Sequence, residues 1–139
     1  MMIDTNTEFG QRVTRRLLEE EIIWLTTVSK NGTAQPRPIW FLWEDETVLM
    51  YSKPNTFKLA HIKRNPRIAL NFDGNGQGGD IIVFTGECQI DETAPRADDH
   101  AEFAKKYQDG IKRINMTPKT FADTYSVALR VKLTNFRGH

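Results

Sequence analysis

Two turn signals set close together, Asn31-Gly32 and Asp45-Glu46, divide residues 21–52 into three runs with strand character. Parallel strands need a crossover of a dozen residues or more, so runs joined this tightly can only pair antiparallel. The first run, Glu21 to Ser29, is rich in β-branched and aromatic residues. Lys30-Asn31-Gly32-Thr33 predicts a tight primed hairpin turn, because Asn-Gly tolerates positive φ. The returning strand is expected from Ala34 to Glu44, and a third strand from Thr47 to Ser52. Further strands are predicted at Arg67 to Asp73, at Asp80 to Ile90, and from Tyr125 to Val131 running on into residues 134–139. Phe9, Val13 and Leu17 recur at i, i+4, i+8 among Arg12, Arg15, Arg16 and Glu19, which predicts an amphipathic opening helix. Residues 94–123 change character: Ala101, Phe103, Ala104 and Tyr107 suggest one helix, and Thr117-Pro118 the capped start of another. The expectation is one domain over residues 1–139, mainly β, with short helices around an antiparallel barrel.

Composition narrows the function. A net charge of +1 in 139 residues argues against a general nucleic-acid binder. No apolar run approaches the ~20 residues needed to cross a bilayer. The N-terminal residues lack a basic and apolar leader pattern, and the lone Cys88 excludes an internal disulfide, so the expected compartment is the cytoplasm. Three scattered histidines and one cysteine give no metal-ligand spacing.

Residues 51–67 carry the strongest functional signal. They read as a strand end, a turn with Ser52 and Lys53, a helix whose first turn holds Thr56 and Lys58, and a stop at Pro66. A helix N-terminus favours an anion, through unpaired N–H groups and a partial positive charge. Two lysines and two hydroxyls gathered there suit a phosphate. Lysine is locally misplaced in that setting unless something negative sits beside it. Arg37 and Arg67 are candidate additional partners, whereas Lys63 and Arg64 read as a solvated helical face.

Other motifs are weaker. Gly74 to Gly79 satisfies G-x-G-x-x-G, but Asp80-Ile81-Ile82-Val83-Phe84 reads as strand, so no helix N-terminus follows and a dinucleotide fingerprint is excluded in favour of a flexible hairpin loop. Pro36 and Pro38 lie on one side of a strand, which predicts an edge or a bulge. Trp24, Trp40, Trp43 and Phe41 read as core. Cys88, His61, His100 and His139 have no visible nucleophile, base or carboxylate partner, and no catalytic side chain is assigned. If the protein is an enzyme, a cofactor carries the chemistry.

The order and spacing of these segments, from Trp24 to Ser29 through Asn31-Gly32, Pro36 to Trp43, Tyr51 to Lys58 and Arg64 to Asn71, resembles the pyridoxamine 5′-phosphate oxidase-like split-barrel flavoproteins. The likeness runs from about residue 20 to residue 139, and Asn71 to Asp80 with the ending from Tyr125-Ser126-Val127 through Phe136 to His139 is similar to a small branch described as coenzyme F420-dependent enzymes. This resemblance implies a six-stranded antiparallel split barrel, a homodimer, and an FMN or F420 site in the groove between subunits. Ser52, Lys53, Thr56 and Lys58 would hold the cofactor phosphate, and Arg37, Pro38, Ile39 and Trp40 would run along its ring. The partner subunit would close the pocket, through the Asn71 to Gly79 loop or the region of Phe136. The implied activity is hydride transfer to a small, planar, conjugated molecule, with a non-catalytic FMN, F420 or haem carrier as the alternative. A C-terminal arginine- and histidine-containing segment that grips pyridoxal in true pyridoxamine phosphate oxidases is not found, so vitamin B6 oxidation is not expected.

Overall fold

The structure, a computed structural model, describes residues 1–139. Helix α1 (Glu8–Glu19) is followed by β1 (Ile22–Val28), β2 (Ala34–Trp40), β3 (Leu42–Glu44) and β4 (Thr47–Ser52). Helix α2 (Phe57–Arg64) leads to β5 (Arg67–Asn71) and β6 (Ile82–Ile90). Three short helices, α3 (Ala101–Lys106), α4 (Gln108–Arg113) and α5 (Pro118–Thr124), precede the last strand, β7 (Val127–Gly138). All strand pairs are antiparallel, in the order β2-β1-β5-β6-β7-β4-β3.

The two outer strands, β2 and β3, are separated in the chain by Phe41 alone. The sheet must therefore curl until its edges meet at that residue, which makes it a split barrel. Its strands number seven rather than the expected six, because the run predicted from Ala34 to Glu44 breaks at Phe41. There the backbone leaves the ladder for side-chain partners. Phe41 N–H donates to the Tyr107 hydroxyl at 2.8 Å, and its carbonyl accepts from Lys106 Nζ at 2.8 Å. The Tyr107 hydroxyl also lies 2.6 Å from the Glu21 carbonyl and 2.9 Å from that of Phe41. Its single proton can serve only one of them, and Lys106 leaves it free for Glu21.

Turn chemistry differs from expectation in one place. Gly32 alone takes positive φ (85°) in the first hairpin, and Ser29 N–H donates to the Thr33 carbonyl at 2.9 Å, so the connection is a three-residue loop. The primed turn lies one hairpin later, where Asp45 and Glu46 have φ of 49° and 60°. The glycine segment is a folded turn rather than a slack one: Asn75 Oδ1 accepts from Gln77 N–H at 2.8 Å and Gly79 N–H at 3.0 Å. Residues 101–124 form three helices, not two, because the helix breaks at Tyr107. Thr117 caps α5 as predicted, accepting from Thr120 N–H at 3.1 Å.

Two apolar cores result. Val13 and Leu17 of α1 and Leu59 and Ile62 of α2 close the barrel interior over Ile23, Leu25, Val48, Met50, Phe84 and Leu129. Outside, the three late helices cover the other face of β4 through Leu49, Tyr51, Phe103, Tyr107 and Phe121. β4 is thus buried on both faces, and each of its large side chains contributes roughly 1.5–3 kcal/mol. No helix is long and apolar enough to cross a membrane.

Candidate functional site

The split between the two sheet edges opens into a cavity of about 380 Å³, within the usual range for small-ligand sites. Arg37, Pro38, Ile39 and Trp40 of β2 line one side, with Tyr51 of β4 and Lys58 of α2 across from them. Phe103, Ile114, Phe121 and Tyr125 from the helical region form the far wall. Trp40 lies nearly parallel to Tyr107, with centroids 4.6 Å apart, and stacks on Phe121 at 5.5 Å; Phe121 stacks in turn on Tyr125 at 4.6 Å. A Cβ on Gly110 would come within 3.1 Å of the Trp40 ring, so the small residue there permits the close approach of α4. Trp40 therefore belongs partly to the outer core and partly to the cavity wall.

The basic segment folds much as its pattern suggests. Thr56 sits at the N-cap of α2 with no side-chain bond to the helix backbone, and Lys58 falls in the first turn with no acid beside it. Asn55, in the turn before it, takes left-handed φ of 60°. Lys58 Nζ donates to Ser52 Oγ and, at 3.5 Å, to Thr56 Oγ1. Three of the four predicted phosphate residues are thus gathered. Lys53 stands apart, exposed, its ammonium 5.7 Å above the Tyr125 ring. Arg67 is not brought to the site: it lines a separate hollow on the outer sheet face with Thr26, Val28 and Glu87. Phe136 stacks on Phe9 at 5.8 Å, on α1.

Electrostatically the site is incomplete by itself. None of the protein's ion pairs involves Arg37, Lys53 or Lys58. Burial, with Arg37 and Lys53 nearby, pushes the Lys58 ammonium down to about 8. Burial likewise pushes the Arg37 guanidinium below its ordinary value. Arg37 has five N–H donors, yet its partners are Thr27 Oγ1 and the Gln35 carbonyl, each 3.5 Å from Nη2. Two partly buried cations with hydroxyl and carbonyl contacts but no carboxylate have the chemistry that suits an anion.

Two residues of this neighbourhood escape sequence reasoning. Thr27 is fully buried and His61 is 9% exposed, and Thr27 Oγ1 lies 3.1 Å from His61 Nδ1. Burial pushes the His61 imidazole below its usual value, and Arg37 and Arg64 add to that. The only sequence signal for them is a threonine at an inward position, in register with Ile23 and Leu25, and a histidine on the inner side of a helix.

The sequence matches the family model of pyridoxamine 5′-phosphate oxidase over residues 9–138. The chain belongs to that family. Among solved structures this family member is similar to an F420 reductase (22% identity, 88% of this chain and 94% of the other, TM-score 0.63). It also resembles a conserved hypothetical protein from Mycobacterium tuberculosis (18% identity, 94% and 82% covered, TM-score 0.70). An FAD-binding protein from Mesorhizobium loti is a further likeness (16% identity, 91% and 89% covered, TM-score 0.65). At these identities the likeness is one of fold. No protein of curated function matches the chain in sequence.

Proposed function

We propose that the cavity binds a flavin or deazaflavin, FMN or F420, and that the protein is an oxidoreductase moving a hydride between that cofactor and a small conjugated organic molecule. The observation that carries this reading is the pair of partly buried cations, Arg37 and Lys58, without acid partners at an aromatic cavity. Cofactor-binding relatives of the same fold support the cofactor class.

The residues present suit such a group. Ser52, Thr56 and Lys58 offer two hydroxyls and an ammonium to a phosphate, and exposed Lys53 adds a longer-range positive charge. Arg37 adds a planar donor fork. Pro38, Ile39 and Trp40 present an edge strand with apolar side chains to a flat ring. A bound flavin or deazaflavin supplies the two-electron chemistry. The chain orients it and, through the wall of Phe103, Phe121 and Tyr125, keeps water away. The reading includes a homodimer, with the partner subunit completing the open side of the groove, working in the cytoplasm. A second reading, a non-catalytic carrier, draws on the absence of any carboxylate or histidine among the lining residues.

Native mass spectrometry of the purified protein with FMN and with F420 tests the proposal, since it reports cofactor, stoichiometry and dimer together. Uptake of neither cofactor overturns it. Reoxidation of the bound reduced cofactor by quinone and nitroaromatic acceptors separates the two readings: rates no faster than in free solution favour the carrier.

A further inference from the structure

Apart from the hydroxyls of Tyr51 and Tyr107 and the thiol of Cys88, the buried polar side chains are three: Thr27, Ser52 and His61, at 0%, 1% and 9% exposure. All three stand behind the two unpaired cations. Ser52 Oγ receives Lys58 Nζ, Thr27 Oγ1 receives Arg37 Nη2, and His61 Nδ1 meets Thr27 Oγ1. Ser52 belongs to the phosphate segment already described. Thr27 and His61 do not: burying a hydroxyl and an imidazole in an apolar barrel is costly unless they are hydrogen-bonded, and here they bond to each other where apolar residues would pack at no such cost. The neighbouring inward positions of β1 are Ile23 and Leu25, where packing alone decides. A valine would fill the place of Thr27 with the same branching and no polar atom.

We infer that Thr27 and His61 are positioning residues for Arg37, holding its guanidinium at the cavity so that it can meet the anionic group of the ligand. Oγ1 of Thr27 accepts from Arg37 and directs its own proton to Nδ1 of His61. The imidazole thereby fixes which way the hydroxyl points. Strand and helix are joined by this bond across 34 residues of sequence, so the guanidinium is referenced both to the barrel wall and to α2, which carries Lys58. The two cations then keep a set separation, as a bidentate grip on one anion requires.

This inference rests on the anion-binding reading of the cavity, and one experiment separates their failures. A double-mutant cycle with Thr27→Val and Arg37→Gln is read as the dissociation constant of FMN, of F420, and of inorganic phosphate through its shift of the unfolding temperature. Thr27→Val is expected to weaken binding about fivefold to tenfold in the parent protein, but by less than about twofold once Arg37 is glutamine. Thr27→Ser, which keeps the hydroxyl, should return affinity to within about twofold of the parent. Equal losses in both backgrounds, or no rescue by serine, overturn the positioning role, since a merely structural threonine would behave that way. If Thr27→Val does not fold, His61→Gln takes its place in the cycle. Binding of phosphate but of neither cofactor refutes the cofactor reading while the cycle on phosphate still decides Thr27. If none of the three binds, Arg37 has no anion to be positioned for, and both fall.

Discussion

Charge is handled in opposite ways beside the two ends of β4. Near its start, Glu44 accepts from Arg130 Nη1 at 2.9 Å and pairs with His100 Nε2 at 2.9 Å, while Arg130 Nε donates to Asp91 at 3.1 Å. Every charge in that network has a partner. Burial pushes the Glu44 carboxyl up, yet hydrogen bonds from Arg130 and His100 hold it below its usual value. Burial pulls the Arg130 guanidinium down, and its bonds to Glu44 and Asp91 more than restore it. At the other end of β4, Arg37 and Lys58 are also partly buried, have no acid, and are both pulled down. The first network pairs its charges internally and ties β3 and β7 to the cap of α3. The second has no internal counter-charge, which on the proposed reading distinguishes a binding site from a brace.

The comparison breaks most visibly if the unpaired cations are removed. Arg37→Gln with Lys58→Met should lower cofactor affinity by about 3–6 kcal/mol, at roughly 1.5–3 kcal/mol for each charge-assisted contact, while the ligand-free protein unfolds at an equal or higher temperature. Titration calorimetry and a thermal melt check both halves. Glu44→Gln should do the reverse, costing about 1–2 kcal/mol of stability by weakening the pairing of Arg130 and His100 and leaving cofactor affinity unchanged. A loss of affinity in that variant would remove the distinction between brace and site. Lys53→Ala should be the smallest effect, below about 1 kcal/mol in binding and erased by salt, because Lys53 is exposed.

The pH dependence sharpens the same contrast. Glu44 has a folded pKa below its unfolded one, so between those values the unfolded chain holds more protons and stability rises with pH. Its contribution is present at neutral pH and is lost as pH falls below about 4.5. Lys58 is a base lowered to about 8 from an ordinary 10.5. Above pH 8 the unfolded chain again holds the extra proton, so the ligand-free protein should gain stability as pH rises from 8. The buried Cys88 thiol, pushed up to about 12, opposes this above pH 9. Melts between pH 7.5 and 9 should therefore show a rise that is smaller in Lys58→Met, with the remainder belonging to Lys106, also pushed down to about 8 by burial.

Local pattern was legible where the physics is local. The antiparallel hairpins, the proline-bearing edge strand, the capped α5 and the misplaced lysine of α2 all follow from neighbouring residues. The break at Phe41 was not, because its cause is Tyr107 and Lys106, more than sixty positions away. Arg67 reads as a partner of the basic segment by proximity in sequence, yet it sits on a strand whose register turns it to the outer face. Thr27 and His61 carry no sequence signal beyond an odd polar residue among apolar ones.

Sequence alone was enough to establish antiparallel pairing, and it placed Ser52, Thr56 and Lys58 together, since a strand end, a turn and a first helical turn leave little freedom. It also marked Lys58 as a first-turn cation lacking an acid. Tertiary structure decided that the sheet closes with seven strands and a break at Phe41, that Arg37 rather than Arg67 comes to the cavity, and that Thr27 and His61 stand behind it. Those outcomes depend on contacts between residues far apart in the chain, whose formation is governed by closure of the barrel rather than by any neighbour in sequence.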